Sequence, residues 1–231
     1  MSHFVRMVNG IDYRRESQVR NEMTFSMVQD YLKTLVPPRS TEMKVMEMYA
    51  KEVGYPIIGP VAGYLCYQIA RMTGAKRIIE LGSGYGYSTA WFAKAVTENG
   101  GGTVHHVVWD TELSQRAQEH LGRLGYGDIV EYHVGEAVEI LKGMSGPFDL
   151  IFNDIDKEAY PGSLPVIEEK LRSGGVLIVD NMLWLGRIFD KNDQEPSTEG
   201  VREFTRRITG DTGWIASVVP IRDGLLVAYK V

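Results

Sequence analysis

Hydrophobic positions along the chain change period near residue 74. Before it they recur at helical spacing. Met23, Met27, Leu32 and Leu35 form one stripe that stops at Pro37-Pro38. A second predicted helix, 42–53, ends near Gly54, and a third, 61–73, leads to Gly74. The methionines of the first stripe read as adaptable helix-packing side chains rather than a cofactor site. Beyond Gly74, short apolar runs alternate with helical stretches. Strands are predicted at 77–81, 104–109, 129–134, 148–153 and 175–179, with helices at 88–96, 112–124, 136–142, 159–171 and 201–208. Two last strands, 214–220 and 225–230, are separated by Arg222-Asp223-Gly224, a tight turn that predicts an antiparallel hairpin at the sheet edge.

This order predicts an α/β fold: a Rossmann-like, doubly wound, mostly parallel seven-stranded sheet with a C-terminal antiparallel hairpin and a helical N-terminal extension. The 231 residues read as one domain, 1–55 being the extension and 56–231 the core. At 44% hydrophobic and 24% charged residues the chain has ordinary globular composition, and its one cysteine, Cys66, allows no intrachain disulfide. A formal charge of −5 without a basic run disfavours nucleic acid as partner. The start, Met1-Ser-His-Phe-Val-Arg6, lacks a signal-peptide apolar stretch, and no 18-residue apolar run is present, so a cytoplasmic protein outside the membrane is expected.

Candidate chemistry gathers where the predicted strands end. The first runs through Glu80-Leu81 into Gly82-Ser-Gly-Tyr-Gly-Tyr-Ser88. Glycines 82, 84 and 86 let the backbone turn tightly and approach a ligand. The GxGxG spacing differs from the GxGxxG of dinucleotide sites, which fits S-adenosylmethionine, a ligand with no pyrophosphate. Ser83 and Gly84 lie in the turn. Glu80 is an unusual end for a buried strand; its carboxylate suits the ligand's ammonium, directly or through water. Ser88 and the free amides of the next helix suit the ligand's carboxylate. An acid at the end of the second strand suits the ribose hydroxyls, and either Asp110 or Glu112 can supply it. Trp109 beside them reads equally as an adenine wall or as core. Glu136-Ala137 after the third strand reads as an adenine contact, or Glu136 as an acid favoured by the helix dipole.

The fourth strand ends in Asn153-Asp154-Ile155-Asp156-Lys157 and the fifth in Asp180-Asn181, two neighbours at the same sheet edge. Carboxylates and an amide oxygen are hard donors, suited to Mg²⁺, Mn²⁺ or Ca²⁺ rather than zinc. The five histidines, at 3, 105, 106, 120 and 133, lack metal spacing, and His105-His106 reads as structural, the two rings facing opposite ways in a strand.

Residues 55–231 resemble the cation-dependent class I O-methyltransferases, the caffeoyl-CoA and catechol O-methyltransferase group. The similarity rests on Glu80–Ser88, on Phe148-Asp-Leu-Ile-Phe-Asn-Asp-Ile-Asp-Lys157, on Gly174-Gly-Val-Leu-Ile-Val-Asp-Asn181 with Trp184, and on Pro220-Ile-Arg-Asp-Gly224. The resemblance implies Asp154, Asp180 and Asn181 as metal ligands and Lys157 as general base. It implies that Glu80, Gly82, Ser88, the acid after strand two, Ala137 and Asp154 line the cofactor, and that the protein is a homodimer. Asn153 stands where the family commonly has an apolar residue, and Glu136 replaces the more usual aspartate.

The expected activity is methylation of a hydroxyl on a catechol-like small molecule, dependent on S-adenosylmethionine and a divalent cation, Mg²⁺ first. Lysine ordinarily keeps its proton at neutral pH, so a base role asks for burial and a nearby divalent charge. Asp156 reads as a supporting acid or helix cap, and Tyr160 and Trp184 as ring walls or packing. The competing readings are a metal-independent N-methyltransferase of small molecules, a non-catalytic S-adenosylmethionine-binding protein and a nicotinamide oxidoreductase. The glycine spacing and terminal hairpin argue against the last.

Overall fold

The structure, a computed structural model, describes residues 24–231. Met23, and with it the start of the first methionine stripe, lies outside them, as does His3. The chain divides at Pro37-Pro38. The first unit contributes helix α1 (Phe25–Leu35), whose first turn is capped by the Thr24 hydroxyl accepting from the Met27 amide at 3.2 Å.

The second unit carries the rest. Helix α2 (Thr41–Val53) starts on a Ser40 cap and stops at Gly54, whose φ of 70° is the left-handed conformation that ends helices. Although the sequence pattern groups it with the extension, α2 is tied into the core: the Tyr85 hydroxyl donates to Met46 O and that of Tyr87 to Glu47. Then follow α3 (Gly59–Met72), β1 (Arg77–Leu81), α4 (Tyr87–Glu98), β2 (Thr103–Val108), α5 (Thr111–Arg123), β3 (Val130–Val134), α6 (Ala137–Gly143) and β4 (Phe148–Asn153). A 3-10 turn (Lys157–Ala159), α7 (Tyr160–Lys170), β5 (Leu171–Val179), a second 3-10 segment (Trp184–Phe189), α8 (Pro196–Gly210), β6 (Trp214–Val219) and β7 (Leu225–Lys230) complete it.

One seven-stranded sheet has the order β3-β2-β1-β4-β5-β7-β6; β1 to β5 are parallel, and β7 pairs antiparallel with both β5 and β6. The expected doubly wound sheet with its terminal hairpin is therefore present. Helices cover both faces, so the inner strands are apolar on both sides. Ile79, Leu81, Ile151, Leu177 and Val179 pack under α6, α7 and α8 with Leu141, Leu164, Ile167 and Phe204. The alternate residues face α3 and α4, where Phe152 meets Phe92 at a ring separation of 5.4 Å.

Strand order reverses between β1 and β4, which start chains running outward in opposite directions. Open α/β sheets bind ligands in the crevice at such a point. The register pairs Leu81 with Asn153, so β1 and β4 end level and their loops emerge side by side. Among the described residues no helix is long and apolar enough to cross a membrane.

Candidate active site

The loop after β1 is stitched down before any ligand arrives. The Ser83 hydroxyl donates to Glu80 O and accepts from the Val107 amide, both at 3.0 Å, and the Ser83 amide reaches Val107 O. Ser83 thus lines the cleft with its polar side-chain and amide groups already engaged. Gly82, at φ 88°, lies against the neighbouring loop: a Cβ there would sit 2.4 Å from Asp154 O. Gly86 caps α4 in a left-handed conformation and turns the first amides of that helix toward the crevice.

Glu80 lies beneath this loop with no solvent exposure. The Thr89 hydroxyl donates to its Oε2 at 2.5 Å, while Oε1 has no partner. Burial pushes its carboxyl up to about 7, against the opposing hydrogen bonds of Ser88, Thr89 and Ser83. A buried acceptor without a donor is costly, and a ligand bearing one would relieve it.

At the end of β2, Asp110 already has a local hydrogen-bond partner. Its carboxylate accepts from the Leu113 amide at 2.9 Å and caps α5, a role worth about 1 kcal/mol. Val107, Val108 and Trp109 form the cleft wall at this strand end, with Asp110 next to them in the chain. Trp109 is 82% exposed, which removes the core reading for it. At the end of β3, Glu136 and Ala137 do line the cleft. Glu136 also accepts from the amides of Val138 and Glu139 at 3.1 and 2.7 Å, the role of an acid at a helix start.

The carboxylates after β4 and β5 converge. Lys157, only 9% exposed, donates to Asp154 Oδ1 at 2.7 Å and to Ile155 O at 3.0 Å. Arg222 donates to Asp180 Oδ2 at 2.7 Å, and Asp180 Oδ1, fully buried, has no partner. Burial, and after it the charge of Asp154, pushes the Asp180 carboxyl up to about 7, with Arg222 opposing. Asn181 donates its amide to Asp223 Oδ2 at 3.0 Å, which turns its carbonyl oxygen away from Asp223. Asp223 also accepts from the Leu185 amide at 2.6 Å. The four non-glycine residues with left-handed backbone among the described residues, Asn181, Trp184, Leu185 and Arg222, all lie on these two facing loops. Such strain costs about 1–3 kcal/mol for each residue other than asparagine and concentrates at working sites.

Two acids that repel each other, an orphaned carboxylate oxygen and a neighbouring amide oxygen fit a hard divalent cation held by Asp154, Asp180 and Asn181. The cleft above them has a volume of about 1000 Å³ and also receives Tyr55, Pro56, Ile57, Trp184 and Leu185. Leu185 is 82% exposed and, with Trp184, adds apolar lining to the cleft. Tyr160 is not part of this wall: it is fully buried and its hydroxyl donates to Asp180 O at 2.9 Å. Asp156 lines the cleft, and its side chain makes no capping hydrogen bond to the 3-10 turn it precedes.

Residues 55–58, Thr89, Arg222 and Asp223 were not singled out for these roles by sequence reasoning. For Asp223 a signal existed, an acid in the turn of the terminal hairpin. Its use needs β7 to pair with β5, which sets Leu226 beside Val179 and the hairpin turn beside Asn181.

A family model described as O-methyltransferase matches residues 43–231. A catechol O-methyltransferase from Niastella koreensis is 30% identical over 205 residues, covering 86% of this chain and 92% of the relative. Among solved structures, the O-methyltransferase TomG from Streptomyces achromogenes, involved in tomaymycin synthesis and determined in complex with SAM, superposes with a TM-score of 0.79 at 26% identity, covering 88% of this chain and 96% of that one. An O-methyltransferase from Bacillus cereus in complex with SAH superposes with a TM-score of 0.80 at 25% identity, covering 88% and 97%.

Proposed function

The chain belongs to the O-methyltransferase family, and from that premise we propose that it moves the methyl group of S-adenosylmethionine to one hydroxyl of a catechol-like small molecule with a divalent cation bound. The observation that carries this reading is that Asp154, Asn181 and buried Lys157 line one cleft beside the glycine loop, while buried Asp180, next to Asn181 in the chain, has an unpartnered carboxylate oxygen. A cation held by the three donors would supply the positive charge that favours an ionised acceptor hydroxyl.

The remaining roles fall to the chain's own groups. The glycine loop and the first amides of α4 receive the cofactor's amino-acid end, with Glu80 facing its ammonium and Ser88 its carboxylate. Glu136, Ala137 and Trp109 bound its adenosine. In its neutral amine form Lys157 Nζ takes the acceptor's proton and becomes the ammonium. Trp184 and Leu185 hold the acceptor ring against the acids and exclude water. Positioning the oxygen in line with the methyl group is the main catalytic contribution. The homodimer implied by the family resemblance belongs to the same proposal and is read by light scattering.

A metal-independent methyltransferase is the second reading. It is favoured by one observation: Lys157 and Arg222 already pair with the two acids and offset their charge. Methyl transfer to a panel of catechols, with Mg²⁺ and with EDTA, separates the two. Turnover abolished by EDTA and restored by Mg²⁺ is expected. Lys157→Ala should lower kcat by about 10²-fold or more with cofactor affinity retained. Turnover indifferent to EDTA moves the assignment to the second reading, and unchanged kcat in Lys157→Ala removes the base.

Glu80 gives cofactor binding a pH dependence. Its folded carboxyl titrates near 7, above the ordinary 4.5, so below about 7 it is protonated and cannot face an ammonium as an anion. Affinity for S-adenosylmethionine should therefore fall as pH drops below 7, approaching about tenfold per unit, and be flat above it. The same shift makes the free protein lose stability as pH rises from about 4.5 to about 7, a loss the bound ammonium offsets. Calorimetric titration between pH 5.5 and 8 reads this, and Glu80→Gln should bind weakly with a flat profile. A wild-type profile equally flat would disprove the ammonium contact.

A further inference from the structure

Away from the cleft, the pairing of β2 with edge strand β3 sets His105 directly opposite Glu131, with His133 two residues further along the same face. His105 Nδ1 is 3.2 Å from His133 Nε2 and 3.2 Å from Glu131 Oε2. The three ligand atoms all lie within 4.8 Å of one another. Ligand atoms held about 2.0–2.2 Å from a tetrahedral zinc stand about 3.3 Å apart, so both short contacts already have the length of a tetrahedron edge.

Hydrogen bonding and charge within this cluster converge on one atom, His105 Nδ1. His105 is buried, and burial lowers its pKa to about 4, with His133 and Arg77 acting in the same direction and Glu131 opposing. If Nδ1 carries the proton, two acceptors converge on one hydrogen. If Nδ1 is bare and accepts from His133, the Glu131 carboxylate faces a lone pair. A cation at the centre engages all three donors when both rings carry their proton on the other nitrogen, leaving His105 Nδ1 and His133 Nε2 bare. The Glu131 side chain is 60% exposed, so the cluster opens to solvent and leaves room for a water as fourth ligand. Arg77 is the nearby competing charge; its guanidinium is held over the Phe148 ring at 4.5 Å, and that ring meets His105 edge-on.

We propose that His105, Glu131 and His133 form a second metal site, of the zinc class, that bridges β2 to the edge strand β3 and is separate from the hard-donor trio of the cleft. Two imidazoles and one carboxylate select a borderline-soft ion, whereas the trio selects a hard one. An edge strand is held by pairing on one side only, so a bridging ion would act as a staple there.

The test uses full-length, untagged protein stripped with a chelator, then supplied with Mg²⁺ in excess to occupy the hard site. Calorimetric titration with zinc chloride should show one site, and Co²⁺ should give the visible bands of a tetrahedral ion. His133→Ala and Glu131→Gln should each weaken zinc binding at least about tenfold. Asn181→Ala should leave it unchanged. Zinc should raise the wild-type Tm by about 5 °C at a hundredfold excess over Kd, and should not raise that of His133→Ala. Far-UV circular dichroism confirms folding, and the exposed Glu131 provides a variant that cannot disturb the core. No zinc uptake by the wild type, zinc affinity unaltered in both variants, or uptake abolished by Asn181→Ala and kept in His133→Ala would each overturn the proposal.

Discussion

Asp154→Ala is expected to lower kcat by about 10²–10³-fold or more while the protein stays folded. This side chain joins the two halves of the cleft. It receives the Lys157 ammonium at 2.7 Å, and its charge is the largest influence after burial on Asp180. Without it Lys157 keeps Ile155 O as its acceptor, and the Asp180 carboxyl falls back toward its ordinary range because the facing charge is gone. The side chain is one-quarter exposed, so the loss of stability should be small beside the loss of rate. Steady-state kinetics with a saturating catechol, together with calorimetric cofactor titration, separates rate from binding. Asp154→Asn keeps the shape and removes the charge, and should fall nearly as far. A kcat within threefold of wild type in both variants would remove Asp154 from the chemistry.

Gly82→Ala, the smallest possible change, should damage both the fold and cofactor binding. The new Cβ would sit 2.4 Å from Asp154 O and 2.8 Å from its carbonyl carbon, at a φ of 88°. Those atoms are backbone, fixed by the Leu81–Asn153 register and by the Asp154 amide on Leu81 O at 2.9 Å. Relief requires the β1 and β4 loops to part, and both belong to the site. A loss of about 2–4 kcal/mol in stability is expected, with a cofactor Kd raised by about 30–100-fold. Thermal melts with and without S-adenosylmethionine measure both effects. Gly143→Ala, where a Cβ meets nothing within 4 Å, is the control. A Gly82→Ala protein with wild-type Tm and Kd would show that the loops can separate freely.

Much of this was legible in the chain because the signals are local. The strands at 77–81 and 148–153 were delimited in full by apolar runs followed by glycine or acid clusters. Other boundaries shifted for local reasons too. Strand β5 begins at Leu171 rather than 175, its first half disguised by Ser173-Gly174-Gly175, which have little strand propensity of their own. Helix α8 begins at Pro196 rather than 201, proline being well suited to a first helical turn.

The sequence by itself determined the α/β order, the glycine turn, and the placement of Asp154, Asp180 and Asn181 at strand ends, because hydrophobic period, turn chemistry and residue type are properties of neighbours along the chain. Tertiary structure alone decided which polar groups face one another. It set Arg222 on Asp180 and Asp223 on Asn181, buried Tyr160, and brought His105, Glu131 and His133 to one point. Those outcomes depend on strand order and register across 20 to 42 positions of separation, and spacing read along one segment carries no information about contacts made between two.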